Sequence, residues 1–145
     1  MTPTTKQREG KRSRRRGYNW ERKLTDILIQ KGWSAWRLGA PQIHLPDILA
    51  IHSDGTLLCI ECKSTTRDMC IIPIHQIEMC FGMIQPFKKF VSKCMVIGAF
   101  SFVGNSTQYY TTIQHVGVGD LVCTIDGRVY RRGLHEYSIQ ARDTI

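Results

Sequence analysis

No stretch of this 145-residue sequence approaches the roughly 20 consecutive apolar residues of a membrane span, and no apolar run follows its basic start as a secretory signal would require. Both absences lead to the expectation of a cytoplasmic protein with no membrane partner. No internal repeat is visible, which sets aside solenoids and repeat arrays. Acidic residues are scarce at the N-terminus. Residues 1–16 hold Lys6, Arg8, Lys11, Arg12, Arg14, Arg15 and Arg16 against Glu9 alone, so most of the formal net charge of +8 sits there. Such a block repels itself and favours a polyanionic partner through counterion release, or else serves as a solvated tail. DNA is the first partner to consider, with Arg14, Arg15 and Arg16 as candidate contacts.

The apolar share of 42% is enough for one packed core at this length. The organisation expected is a flexible basic arm over 1–17, ended by Gly17, followed by a single domain over 18–145. Six cysteines make an even number, yet Cys59, Cys80, Cys94 and Cys123 lie in apolar periodic segments, where thiols act as small buried hydrophobes in a reducing compartment. Cys59 and Cys62 have a metal-ligand spacing, but an offset of three along a strand sends them to opposite faces, and no second Cys or His pair completes a zinc site.

Hydrophobic spacing predicts a helix over about 19–31, with Asn19 as its cap, Trp20, Leu24, Ile27 and Leu28 on one face, and Lys31-Gly32 as its stop. Ser34 to Leu38, Asp47 to His52 and Thr56 to Ser64 read as strands, the last two joined as a hairpin by Ser53-Asp54-Gly55. A second helix follows Pro73, with Ile74, Ile77, Phe81 and Ile84 at helical spacing, Gln76 on its exposed side and Pro86 weakening its end. Lys93 to Val103 and Gln108 to Ile113 read as strands, and the Tyr109-Tyr110 pair as strand packing. Asp126-Gly127 predicts a C-terminal hairpin between 121–125 and 128–132.

Chemistry concentrates where Pro46-Asp47 enters one hairpin strand and Glu61-Cys62-Lys63 ends its partner. Glu61 and Lys63 share a face by strand alternation, and Asp47 can join them from the neighbouring strand. Two carboxylates placed together repel unless a hard cation such as magnesium holds them. A cation there can lower the pKa of bound water and offset charge on a phosphate, while the Lys63 ammonium orients the water or the phosphate. Solvated charges on a hairpin face would explain the same pattern, but the apolar run Leu57-Leu58-Cys59-Ile60 marks a buried strand on which charges need partners.

These residues resemble the motif of the PD-(D/E)XK nuclease superfamily. With the segment Arg16 to Leu24 ahead of them, a Gln76 helix behind and then Phe87 to Phe100, residues 16–113 are similar to the archaeal Holliday junction resolvase branch. The resemblance implies an α/β fold with a restriction-endonuclease-like core, its central mixed β-sheet flanked by helices. It also implies a homodimer that cuts four-way DNA junctions with magnesium, manganese being able to substitute. By residue it implies Glu21, Asp47 and Glu61 around the metal, Lys63 as the water or phosphate partner and Gln76 as an accessory group. Arg22 and Arg37 are candidate phosphate contacts on charge and placement. The competing readings are another nuclease of the superfamily, restriction-like or acting in repair, and a DNA-binding protein that does not cut. Resolvases of this branch generally carry a longer loop before the aspartate with a serine that aids cleavage; Leu38 to Leu45 here has none. In that loop His44 is a candidate phosphate contact or proton carrier, against the plainer reading of a surface histidine.

Overall fold

The computed structural model describes residues 2–39, 45–105, 107–134 and 138–145; the loop histidine His44 lies outside them. The first helix, α1 (Thr5–Gln30), is much longer than expected. Residues 5–17, anticipated as a flexible arm, are its first turns. The physical reason is local: Lys, Arg, Gln and Glu are good helix formers, and Thr4 and Gln7 close a capping box that satisfies two otherwise orphaned donors. From Trp20 onward the helix is anchored by Trp20, Leu24 and Leu28, all buried. It stops where expected. Gly32 adopts φ +92°, and Gly32 and Trp33 donate their N–H groups back to Ile29 and Leu28 carbonyls.

Five strands form the main sheet: β1 (Ser34–Arg37), β2 (Ile48–Ile51), β3 (Thr56–Thr65), β5 (Lys93–Phe102) and β6 (Gln108–Ile113), in the order β1-β2-β3-β5-β6. The β2–β3 hairpin is antiparallel and β3 runs parallel to β5, so the sheet is mixed, as the family resemblance implies. The chain passes from β3 to β5 through β4 (Met69–Ile72) and α2 (Ile74–Ile84), the latter extended by a 3-10 turn at Gln85–Phe87 that accommodates Pro86. Helix α1 covers one face of the sheet, while α2 packs on β3 and β5. Burial on both faces explains why Leu57 to Ile60 is a continuous apolar run rather than an alternating one. Cys59 joins the core with Ile77 and Cys80, and Cys62 joins the opposite core with Trp20 and Ile60. The two thiols therefore do face opposite ways.

A second sheet, not anticipated, has the order β4-β7-β8-β9, with β7 (Leu121–Thr124), β8 (Arg128–Arg131) and β9 (Ile139–Gln140). The pair β7–β8 is antiparallel across Asp126-Gly127, and β4 and β9 extend it on either side. Gly127 has φ +86°, and a Cβ there would approach Gln140 Nε2 to 2.5 Å and Tyr109 Cε1 to 2.6 Å. Gly127→Ala should therefore destabilise the protein by about 1–3 kcal/mol, combining left-handed strain with a clash against the main sheet. Thermal denaturation checks this; an unchanged midpoint would mean that β6 and β9 yield freely around the turn.

Candidate active site

Asp47 lies just ahead of β2, and its position is set by backbone and side chain together. Its N–H donates to the Ile60 carbonyl at 3.1 Å, its carbonyl accepts from Leu38 N–H at 3.0 Å, and its Oδ2 accepts from Cys62 N–H at 2.8 Å. The carboxylate is thereby clamped beside Glu61, which projects from β3 and is only 4% exposed. Glu21, from α1, approaches from the other side. The charge of Asp47 acts on both glutamates.

The crowding raises the titration of both glutamates. Burial, then the charge of Asp47 and of Cys80, pushes the Glu61 carboxyl up to about 10, with Lys63 pulling the other way. Glu21 is raised by burial and by Asp47, and held back by Arg37. Cys80, on the underside of α2, donates its S–H to Glu61 Oε2 at 3.8 Å. Lys63 follows Glu61 by two residues and acts on it electrostatically, as strand alternation predicts.

A cleft of about 520 Å³ opens over Asp47 and Glu61, with Arg14, Tyr18, Glu21 and Arg37 on one side and His75, Gln76 and Met79 on the other. Arg14, Tyr18 and Glu21 fall at spacings of four and three, so one stripe of α1 supplies all three. Arg37 Nη2 is 3.1 Å from Glu21 Oε2, and its guanidinium stacks over the Tyr18 ring at 4.1 Å. Periodicity predicts an exposed Gln76; in the structure its Oε1 is buried and, among the described residues, accepts no hydrogen bond.

Other expected contacts go elsewhere. Arg22 is exposed and borders a shallow depression with Asn19 and Asp26, because one step along the helix from Glu21 turns it out of the cleft. Arg15 is exposed on α1, and Arg16 turns toward a different groove. Tyr18 and His75 line the cleft without having been singled out; Tyr18 could have been found from its i, i+3 relation to Glu21, whereas nothing marks His75.

The donor chemistry suits a hard divalent cation. Asp47 and Glu61 supply carboxylate oxygens, and the orphaned Gln76 Oε1 is a neutral oxygen facing the same cleft. Glu21, expected as a third ligand, is committed to Arg37. Among the described residues no three Asp, Glu, His or Cys side chains form a ready-made metal cage; Asp47 and Glu61, with Glu21 beside Asp47, are the carboxyl groups that a cation would meet.

The archaeal Holliday junction resolvase (Hjc) family model matches residues 12–107, two thirds of the chain and every one of these carboxylates. The chain belongs to that family. Archaeal resolvases of this kind fall within the PD-(D/E)XK nuclease superfamily. The crossover junction endodeoxyribonucleases Hje of Saccharolobus islandicus and Saccharolobus solfataricus are each 36% identical over 74 residues, covering 49% of this chain and 54% of theirs. The chain thus spans about half the length of the curated relatives it matches. Its fold is also similar to that of the Archaeoglobus fulgidus Hjc, a Holliday junction resolvase, with a TM-score of 0.59 at 17% identity over 86% of this chain and 90% of that one. For this resolvase-family chain the matched stretch leaves out Lys6 before it and the β7–β9 strands after it. No helix among the described residues is long and apolar enough to cross a membrane.

Proposed function

We propose that the chain is a structure-selective endodeoxyribonuclease that resolves four-way DNA junctions by divalent-metal-dependent phosphodiester hydrolysis, working as a homodimer. The observation that carries this reading is the burial of Glu61 against Asp47 beneath a cleft whose rim holds Arg14 and Arg37. A buried glutamate against a half-buried aspartate is poor architecture for binding phosphate alone and good architecture for holding a cation next to one. Magnesium, when bound, supplies an acidified water and an offset for the negative charge that grows on phosphorus.

The chain's own groups then divide the remaining work. Cys62 N–H holds the Asp47 carboxylate in one orientation. The Lys63 ammonium donates N–H to the water or the scissile phosphate, and Gln76 offers an unpaired amide oxygen to the cleft. Arg37, steadied by Glu21 and Tyr18, presents a guanidinium to a non-bridging phosphate oxygen. Hydrolysis adds the water oxygen to phosphorus and breaks one P–O ester bond, the departing oxygen taking up a proton.

Labelled four-way junction and matched linear duplex, each with and without magnesium, test the proposal. Metal-dependent paired nicks placed symmetrically in the junction alone are the expected result. Equal cutting of duplex would replace junction resolution by a broader nuclease activity, and tight binding without cutting in magnesium or manganese would remove the enzyme reading.

A further inference from the structure

A second basic depression lies apart from the carboxylate cleft. It encloses about 700 Å³ between the early turns of α1, which contribute Lys6, Arg12 and Arg16, and the turn after β3, which contributes Thr65, Thr66 and Arg67. Glu9 is the single acid on its wall. At Gly10, which borders it, an added Cβ would meet nothing within 4 Å, so the helix stands off from the turn and leaves a gap.

Four cations face that gap, and among the described residues none of them makes an ion pair; the carboxylates that do pair lie elsewhere. Arg16 Nε is buried and has no hydrogen-bond partner among the described residues. Such a donor is expensive to leave unmade and is met by an incoming acceptor oxygen. Thr65 Oγ1 accepts from Arg67 N–H at 3.1 Å, which orders the turn and leaves the Thr65 hydroxyl proton free to donate outward.

Lys6 and Arg16 are ten residues apart on one helix, or about 15 Å. A single phosphate or mononucleotide would touch one end of such a row, whereas a polynucleotide backbone can follow all of it. Thr65 and Glu61 belong to the same strand, four residues and about 13 Å apart, so a rigid element sets the groove's distance from the carboxylates. The geometry points to a groove that grips the sugar-phosphate backbone of one DNA strand, on the order of four nucleotides from the bond being cut. This assignment rests on the reading of the chain as a DNA-cutting protein and adds to it a flanking phosphate track. Lys6 lies ahead of the stretch that the family model matches.

Binding of a fluorescein-labelled four-way junction, followed by anisotropy in EDTA across a salt series, tests the groove. Arg67 is exposed and its loss should leave the fold intact, which circular dichroism verifies. For Arg67→Ala the slope of log affinity against log salt should fall by about 0.9, and for Arg12→Ala with Arg16→Ala by about twice that. Lys89→Ala removes an exposed cation beyond α2 and should leave the slope unchanged; an equal loss there would mark a diffuse charge effect and overturn the groove. Methylphosphonates introduced one at a time along an arm should weaken wild-type binding at a flanking position, with that sensitivity missing in Arg67→Ala. Identical methylphosphonate maps, or an unchanged slope, would overturn the proposal. Cutting in magnesium is scored separately: groove-dependent binding without cutting defeats only the nuclease reading, and cutting without groove dependence defeats only the groove.

Discussion

Glu61→Gln is expected to remove the proposed DNA cutting, by at least about 10²–10³-fold, the scale on which one transition-state-stabilising group acts, while making the metal-free protein more stable. Both effects come from the same burial. Glu61 is 4% exposed and faces Asp47, so its carboxyl is pushed up to about 10 from an ordinary 4.5. Without a cation, the folded protein keeps this group protonated and the unfolded chain does not. Below 4.5 both states hold the proton and nothing is gained by substitution. As pH rises through 4.5 the unfolded chain releases its proton, so the wild type loses stability relative to the variant, and the gap widens until about 10. Glutamine preserves the shape and never ionises, and an advantage of about 1–3 kcal/mol near neutrality is expected. Thermal melts in EDTA across this pH range measure it. Magnesium should then raise the wild-type midpoint more than that of the variant, by binding only the folded state. A variant that is less stable than wild type at every pH would show that Glu61 is held by partners other than a cation.

Trp20→Ala should produce the largest loss of stability among single changes to the helix–sheet contact. Trp20 is the first buried residue of α1 and the one directly before Glu21. Its ring is 3% exposed, its indole N–H donates to the Ala99 carbonyl on β5 at 3.1 Å, and it packs at a tilt on Tyr110 with centroids 6.2 Å apart. Truncation leaves a cavity and an unfilled acceptor, for an expected cost of about 3–5 kcal/mol. Trp20→Phe retains most of the volume and loses the hydrogen bond, so about 1–2 kcal/mol is expected. Urea denaturation ranks the two. The stripe of Arg14, Tyr18 and Glu21 depends on this anchor, so the proposed junction binding should also weaken in Trp20→Ala at temperatures where the protein remains folded. A cost under about 1 kcal/mol would mean that Leu24 and Leu28 hold α1 without help.

Much of the architecture was legible because the relevant signals are local. Leu57-Leu58-Cys59-Ile60 is apolar without alternation, and β3 is indeed buried on both faces between α1 and α2. Asp126-Gly127 marks a turn whose geometry requires φ above zero, and Gly32 does the same at the end of α1. What escaped notice depended on partners far along the chain. Met69 to Ile72 is four residues long and ends at a proline; it becomes a strand through pairing with Leu121 to Thr124 some fifty residues later. The reach of α1 back to Thr5 was hidden by charge: a run of like charges suggests repulsion, but side chains splayed round a helix and capped by Thr4 and Gln7 tolerate it.

At the site the same division holds. Strand alternation put Glu61 with Lys63, hairpin pairing brought Asp47 beside them, and a two-sided apolar run implied that Glu61 is buried; these are consequences of a backbone period that any chain obeys. Tertiary packing alone determined that Glu21 is taken by Arg37 over Tyr18, that Arg22 turns away from the cleft, and that Gln76 Oε1 ends up enclosed. It also brought Arg67 opposite Arg12 and Arg16. Sequence specifies which groups a segment offers and on which of its faces; the distance between faces of different segments is set by how helices and sheets pack, a property no single segment carries.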